Sequence, residues 1–132
     1  MKTLIGVSDK TMSLSKFPEK EETIEVKAKR IINQKGISGW SAFHWAVFLG
    51  HIDLMAEFLN LGAELNSQTD DGWTPLQLAI YKDHMEGTKL LLNQPGLDIN
   101  VVTTRGSALH VATNTGRLQM ISLLLEHGAD IK

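Results

Sequence analysis

Apolar residues recur along this chain in short blocks at helical spacing, and the blocks come in pairs separated by glycine and polar residues. Leu54, Met55, Phe58 and Leu59 fall on one face of a helix, as do Met120, Ile121, Leu124 and Leu125. The pattern predicts first helices near 41–49, 75–82 and 108–115, each followed by a second helix near 52–60, 85–93 and 118–126. Gly50 and Gly116 punctuate the turn inside the first and third pairs, and Asp83 stands there in the second. Upstream, Glu19 to Lys35 reads as a further helix rich in Glu and Lys, with Pro18 at its start and Ile24, Ala28, Ile31 and Ile32 at helical spacing.

The pairs are copies of one unit. Ser41-Ala-Phe-His-Trp-Ala46, Thr74-Pro-Leu-Gln-Leu-Ala79 and Ser107-Ala-Leu-His-Val-Ala112 align, and positions 44, 77 and 110 are 33 apart. The blocks Glu57-Phe-Leu59, Leu90-Leu-Leu92 and Leu123-Leu-Leu125 keep the same period. Each unit closes on a third block: Gly62-Ala-Glu-Leu-Asn66, Gly96-Leu-Asp-Ile-Asn100 and Gly128-Ala-Asp-Ile131. One extra residue before Gly96 is cancelled by one fewer before Ser107, so the turn opening the third unit is shorter. A period in this range marks a stack of small units that bury their apolar faces only against each other.

Local chemistry agrees with the pattern. Thr74 offers an N-cap hydroxyl, with Pro75 at the first helical position, where its missing N–H costs nothing. Ser41 and Ser107 can cap in the same way, and His44 and His110 stand three residues on, where a side chain reaches back to the cap backbone. Unit two departs at Gly87-Thr88, where the others carry Leu54-Met55 and Met120-Ile121. A glycine inside a helix costs about 1 kcal/mol against alanine. Here it also removes apolar bulk, so this helix is expected to be the loosest of the second helices.

These blocks resemble the ankyrin repeat, whose signature is a Thr-Pro-Leu-His-x-Ala helix start and a Gly-Ala-Asp-x-Asn ending. The resemblance covers about 37–132. It implies an all-α solenoid of stacked helix-turn-helix units with protruding β-turn or hairpin loops, here around 67–73 and 100–106. The expected organisation is a loose tail over 1–17, an N-terminal capping helix over 18–35, and repeats over about 37–68, 69–102 and 103–132. Leu118, Met120, Ile121, Leu124 and Leu125 have no polar cap after them. The chain therefore reads as a fragment of a longer protein, its C-terminal end stacking on further repeats or on another copy.

Composition narrows the function. The 132 residues hold no cysteine, and the hydrophobic share of 42% is that of an ordinary globular domain. Nothing resembles a signal peptide or a membrane span, so the expected address is cytoplasmic. The net charge of −2 is unevenly shared. Residues 1–35 carry eight bases and five acids, whereas 36–132 carry five bases and ten acids. An acidic body argues against nucleic acid and favours a partner protein with a basic patch.

The resemblance further implies that a partner protein is held on the concave face, formed by turn tips and first helices. On this sequence that face carries Trp40, Phe48, Leu49, Asp70, Asp71, Trp73, Tyr81, Lys82 and Asn114. Trp40 and Trp73 read as binding residues, because tryptophan is enriched in binding hot spots. Phe48 and Leu49 admit packing and binding equally. Trp45 aligns with Leu78 and Val111 and is expected to pack in the core. No zinc-ligand spacing, glycine-rich phosphate loop or nucleophile–base pair appears, so no enzyme and no cofactor are expected. The alternative is a targeting or autoinhibitory domain acting on a larger enzyme, channel or lipid-handling protein of which it is part.

Overall fold

The computed structural model describes residues 23–130. The expected loose tail and the Pro18 helix start lie outside them. Among the described residues there are seven α-helices: α1 (Ile24–Ile32), α2 (Ala42–Leu49), α3 (Ile52–Asn60), α4 (Pro75–Tyr81), α5 (Met85–Leu92), α6 (Ala108–Asn114) and α7 (Leu118–Glu126). The pairs α2–α3, α4–α5 and α6–α7 form three antiparallel units. The first helices α2, α4 and α6 pack in series, and α3 lies against α5 behind them.

Each first helix begins on the same reciprocal cap. The His44 amide donates to Ser41 Oγ (3.3 Å), and the Ser41 amide donates back to His44 Nδ1 (3.0 Å). Thr74 with Gln77 and Ser107 with His110 repeat the arrangement. Two of the amide groups that a helix start leaves without a partner are thereby satisfied. The third residue of the box also reaches the next unit: His44 Nε2 donates to the Ser67 carbonyl (3.0 Å), and Gln77 Nε2 to that of Gly106 (2.9 Å).

A second ladder runs along the unit ends. Asn66 Nδ2 donates to the Gly96 carbonyl (3.0 Å) while its Oδ1 accepts from the Asp98 amide (2.9 Å). Asn33 makes the same two contacts one period earlier, with Gly62 and Glu64, and Asn100 accepts from Asp130 one period later. Sequence register has thus become a ladder of side-chain bridges from unit to unit.

The core runs continuously through the stack as Phe43, Ala46, Val47, Met55, Leu76, Leu78, Ala79, Ile80, Leu91, Ala108, Val111, Ala112, Met120 and Leu124. Ala46, Ala79 and Ala112 keep the first helices close. Gly87 and Thr88 are both buried, and the Met55 sulfur stands 3.5 Å from where a Gly87 Cβ would lie. Met55 of α3 thus comes within ordinary contact distance of the place a methyl group would take. Thr88 Oγ1 donates to the His84 carbonyl (2.9 Å), which satisfies the hydroxyl that burial would otherwise strand.

α1 starts on the cap Thr23, whose Oγ1 accepts from the Val26 amide. Of its expected apolar face, Ile32 is buried and Ala28 half-buried, whereas Ile24 and Ile31 are exposed. The helix meets the stack near its C-terminal end, where Asn33 bonds unit one and the Lys29 stem lies against Gly62.

The buried imidazole of His44 makes this cap sensitive to pH. Loss of hydration holds its pKa below the ordinary 6.5; the Ser67 carbonyl opposes this and the Lys35 ammonium adds to it. A proton on Nδ1 would also confront the Ser41 amide that this atom accepts. The unfolded chain therefore binds the proton more readily. The stability from neutral His44 is fully present above pH 6.5 and is lost as pH falls from there through the lower folded value. His44→Gln copies the Thr74–Gln77 cap and cannot titrate. Urea denaturation from about pH 7.5 to 5.5, above the carboxylate range, should show the wild type losing stability while the variant loses distinctly less. Parallel curves would refute this role for His44.

Candidate functional site

The turns before each first helix close on themselves and on one another. The Gly36 amide donates to the Trp40 carbonyl (2.8 Å), Thr69 to Trp73 (2.9 Å) and Thr103 to Gly106 (3.0 Å), the last one residue shorter as the spacing predicts. Between tips, the Asp70 amide donates to the Ser38 carbonyl (2.9 Å). Thr104 Oγ1 and Arg105 Nε both donate to the Asp71 carbonyl, each at 3.1 Å. These bonds fix the tips as a row, and the row with α2, α4 and α6 is the surface that the resemblance assigns as the concave face.

On this face the expected residues fall into two aromatic groups. In unit one, the Trp40 and Phe48 rings meet edge to face with centroids 5.4 Å apart. In unit two, Trp73 and Tyr81 lie at 5.0 Å. Cations join the groups to neighbouring units: Lys82 Nζ stands 4.8 Å from the Phe48 centroid, and the Arg105 guanidinium lies 4.6 Å over Trp73. Trp40, Phe48 and Trp73 are half-buried and pack on the core with one side while the other stays open. Leu49, Tyr81, Lys82 and Asn114 are exposed, as are Asp70 and Asp71 at the tips. Trp73, Tyr81, Arg105, Val111, Asn114 and Thr115 line a cleft of about 200 Å³ between units two and three. Leu49 belongs to neither aromatic group. Asp70 turns towards unit one, its carboxylate oxygen 2.5 Å from where a Gly39 Cβ would lie.

Trp45 corrects the sequence reading. Its counterparts Leu78 and Val111 are buried, but Trp45 is 48% exposed and joins the unit-one group, 4.5 Å from Trp40 and 6.0 Å from Phe48. Leu78 and Val111 sit on first helices that pack against the first helix of the unit before. Among the described residues no first helix precedes α2, so the same helical position is left open. Arg105 is the other residue the sequence reading passed over. It falls in the shortened third turn, where alignment by position is least secure, and a basic residue following Thr103-Thr104 gave no other signal.

Among the described residues no cluster of His, Asp and Glu can hold a metal ion, and no helix is long and apolar enough to cross a membrane. His110 forms the third cap and His84 donates from Nε2 to the Phe48 carbonyl (3.0 Å), so both histidines are engaged in structure.

Comparison with known proteins agrees with this architecture. A family model described as ankyrin repeats (3 copies) matches residues 21–103 and 43–132. The tyrosine-protein kinase HTK16 of Hydra vulgaris is 29% identical over 105 residues, which is 78% of this chain and 14% of the kinase. Human ankyrin repeat and SOCS box protein 3 is 30% identical over 84 residues, 61% of this chain and 16% of that protein. Human ankyrin repeat and SOCS box protein 16 is 35% identical over 97 residues, 72% of this chain and 21% of that protein. The chain thus spans a small part of the length of each curated relative. With the 33-residue period, the reciprocal caps and the stacked helical pairs, these matches show that the chain belongs to the ankyrin-repeat family.

Proposed function

We propose that this chain holds a partner protein on its concave face, with Trp40, Phe48, Trp73 and Tyr81 as anchors. Ankyrin repeats are generally protein-interaction modules. The observation that carries the reading is that Trp40, Phe48 and Trp73 pack on the core with one side and keep the other open, with Tyr81 against Trp73, which positions the rings before any partner arrives. Rigid aromatic anchors lose little entropy on binding and supply much of the affinity where they are central. Asp70, Asp71, Lys82 and Asn114 form the polar surround, and Leu49 extends the apolar surface in unit one. In this reading 18–35 serves as the N-terminal cap, with α1 standing where a preceding unit's second helix would.

The test compares proteins captured from a lysate by the wild type, by Trp40→Ala/Trp73→Ala, and by Leu54→Ala on the exposed side of α3. Loss of a central anchor typically weakens binding about tenfold or more. Partners should therefore vanish with the double variant, checked as folded by circular dichroism, and persist with Leu54→Ala. Identical partner sets for all three would remove the concave face from consideration.

A second reading is an in-cis role, in which the same face binds and targets or restrains another domain of a larger protein. The match to a small part of a much longer tyrosine-protein kinase favours keeping it. The discriminating result is binding of the repeat domain to a separately expressed segment of its own full-length protein.

A further inference from the structure

Of the four Lys and Arg residues between 36 and 130, Arg105 lines the cleft between units two and three, and Lys82 and Arg117 line the adjoining hollow with Tyr81 and Thr115. The fourth, Lys89, lines a hollow between the second helices with Met85 and Gln119. The acidic surplus of the body therefore does not describe its groove. At physiological ionic strength charges beyond about 8 Å are largely screened, so a side chain docked in the cleft responds first to the Arg105 guanidinium that lines it and not to the net charge. Among the acids nearest these bases, Asp83 stands 3.8 Å from Arg117, Asp71 meets Arg105 through its backbone carbonyl, and Asp70 turns towards Gly39.

Arg105 is held in place yet unspent. Its Nε donates to the Asp71 carbonyl and its guanidinium carbon stands 4.6 Å over the Trp73 ring, while its two terminal nitrogens carry no hydrogen bond to a described residue. Arg117 is tied by the Tyr81 carbonyl and Asp83, and its buried Nε has no partner among the described residues. A guanidinium already held over an aromatic ring loses little freedom when it donates to both oxygens of a carboxylate.

We infer that the cleft between units two and three takes a carboxylate side chain from an acidic segment of the partner protein. The two oxygens sit on the terminal nitrogens of Arg105, and a neighbouring apolar or aromatic side chain of that segment lies against Trp73 and Tyr81. The inference rests on the concave-face reading and specifies the chemistry of what that face holds. It reverses, for this half of the groove, the basic partner that net charge alone suggests.

The test titrates the full 132-residue chain with random glutamate–tyrosine copolymer, lysine–tyrosine copolymer of the same tyrosine content, and oligothymidine. Binding is followed by the Arg105 Nε–H and Trp73 indole N–H resonances. The glutamate copolymer should shift both, the lysine copolymer neither, and oligothymidine should bind more weakly. Arg105→Gln should weaken glutamate copolymer binding at least about tenfold and Arg105→Lys should restore it only in part, while Lys89→Gln leaves it unchanged. Equal affinity for the lysine copolymer, tighter binding of oligothymidine, or an unmoved affinity in Arg105→Gln overturns the inference. If Trp40→Ala/Trp73→Ala loses the cellular partners while Arg105→Gln keeps them, the concave face stands and the acidic segment falls.

Discussion

Replacing Ile80 by alanine should destabilise the whole stack by about 2–5 kcal/mol, the usual range for emptying a fully buried aliphatic site. Ile80 is completely buried in α4, the helix that touches both α2 and α6. Leu124 is equally buried in α7, which packs on the third unit's own first helix. In a linear array, stability is a sum of unit terms and nearest-neighbour interfaces. Loss at the centre therefore weakens two interfaces, and loss at an end lets one unit open alone. The tryptophans make the difference visible, because Trp40, Trp45 and Trp73 all lie in units one and two. In a Trp73→Phe background, which removes the ring touching Arg105, fluorescence reports unit one only. Urea melts of Ile80→Ala should then move the fluorescence and circular dichroism transitions together. Those of Leu124→Ala should lose helical signal before fluorescence changes. Coincident transitions in both variants would show a stack far more cooperative than nearest-neighbour coupling allows.

What could be read from the chain beforehand divides along the reach of the forces involved. The caps at Ser41, Thr74 and Ser107 need partners three residues away, so sequence spacing alone identifies them. The closing asparagines and the buried alanines repeat with the period, so the stack could be placed from copies of one pattern. Trp45 failed because its environment is set by what does not precede it. The same position is core in a unit with a neighbour and surface in the first unit described. Gly87 shows the same limit: how well a glycine is packed depends on the facing helix, and here Met55 comes within contact distance of the missing Cβ. Arg105 lay in a turn whose length breaks the register, and its value comes from Trp73, 32 residues earlier, whose ring it covers. Residues whose role is fixed by a neighbouring unit were invisible until the units were stacked.

That dependence between units predicts that Gly39→Ala will be among the costliest single changes outside the core, at about 2–5 kcal/mol. Gly39 follows Ser38, and both lie in the left-handed region, with φ of 76° and 58°. Alanine at such an angle costs about 1–2 kcal/mol by itself. The added Cβ would further stand 2.5 Å from an Asp70 carboxylate oxygen and 2.8 Å from the Asp70 backbone nitrogen. The carboxylate can rotate away, but a shift of the backbone strains the hydrogen bond from the Asp70 amide to the Ser38 carbonyl, and crowding of this kind costs about 1–3 kcal/mol more. Gly96 supplies the comparison, since its φ is 89° and nothing lies within 4 Å of its missing Cβ. Gly96→Ala should show the conformational cost alone, and the excess for Gly39→Ala in denaturant melts measures the contact between tips. Equal losses would mean that the Asp70 turn yields freely. If the excess is present, separating these tips must also part Trp40 from Trp73, because each closes the hairpin that the Ser38–Asp70 bond joins. Gly39→Ala should then weaken partner capture although it alters no side chain in either aromatic group. Undiminished capture would show that the two groups bind independently of one another.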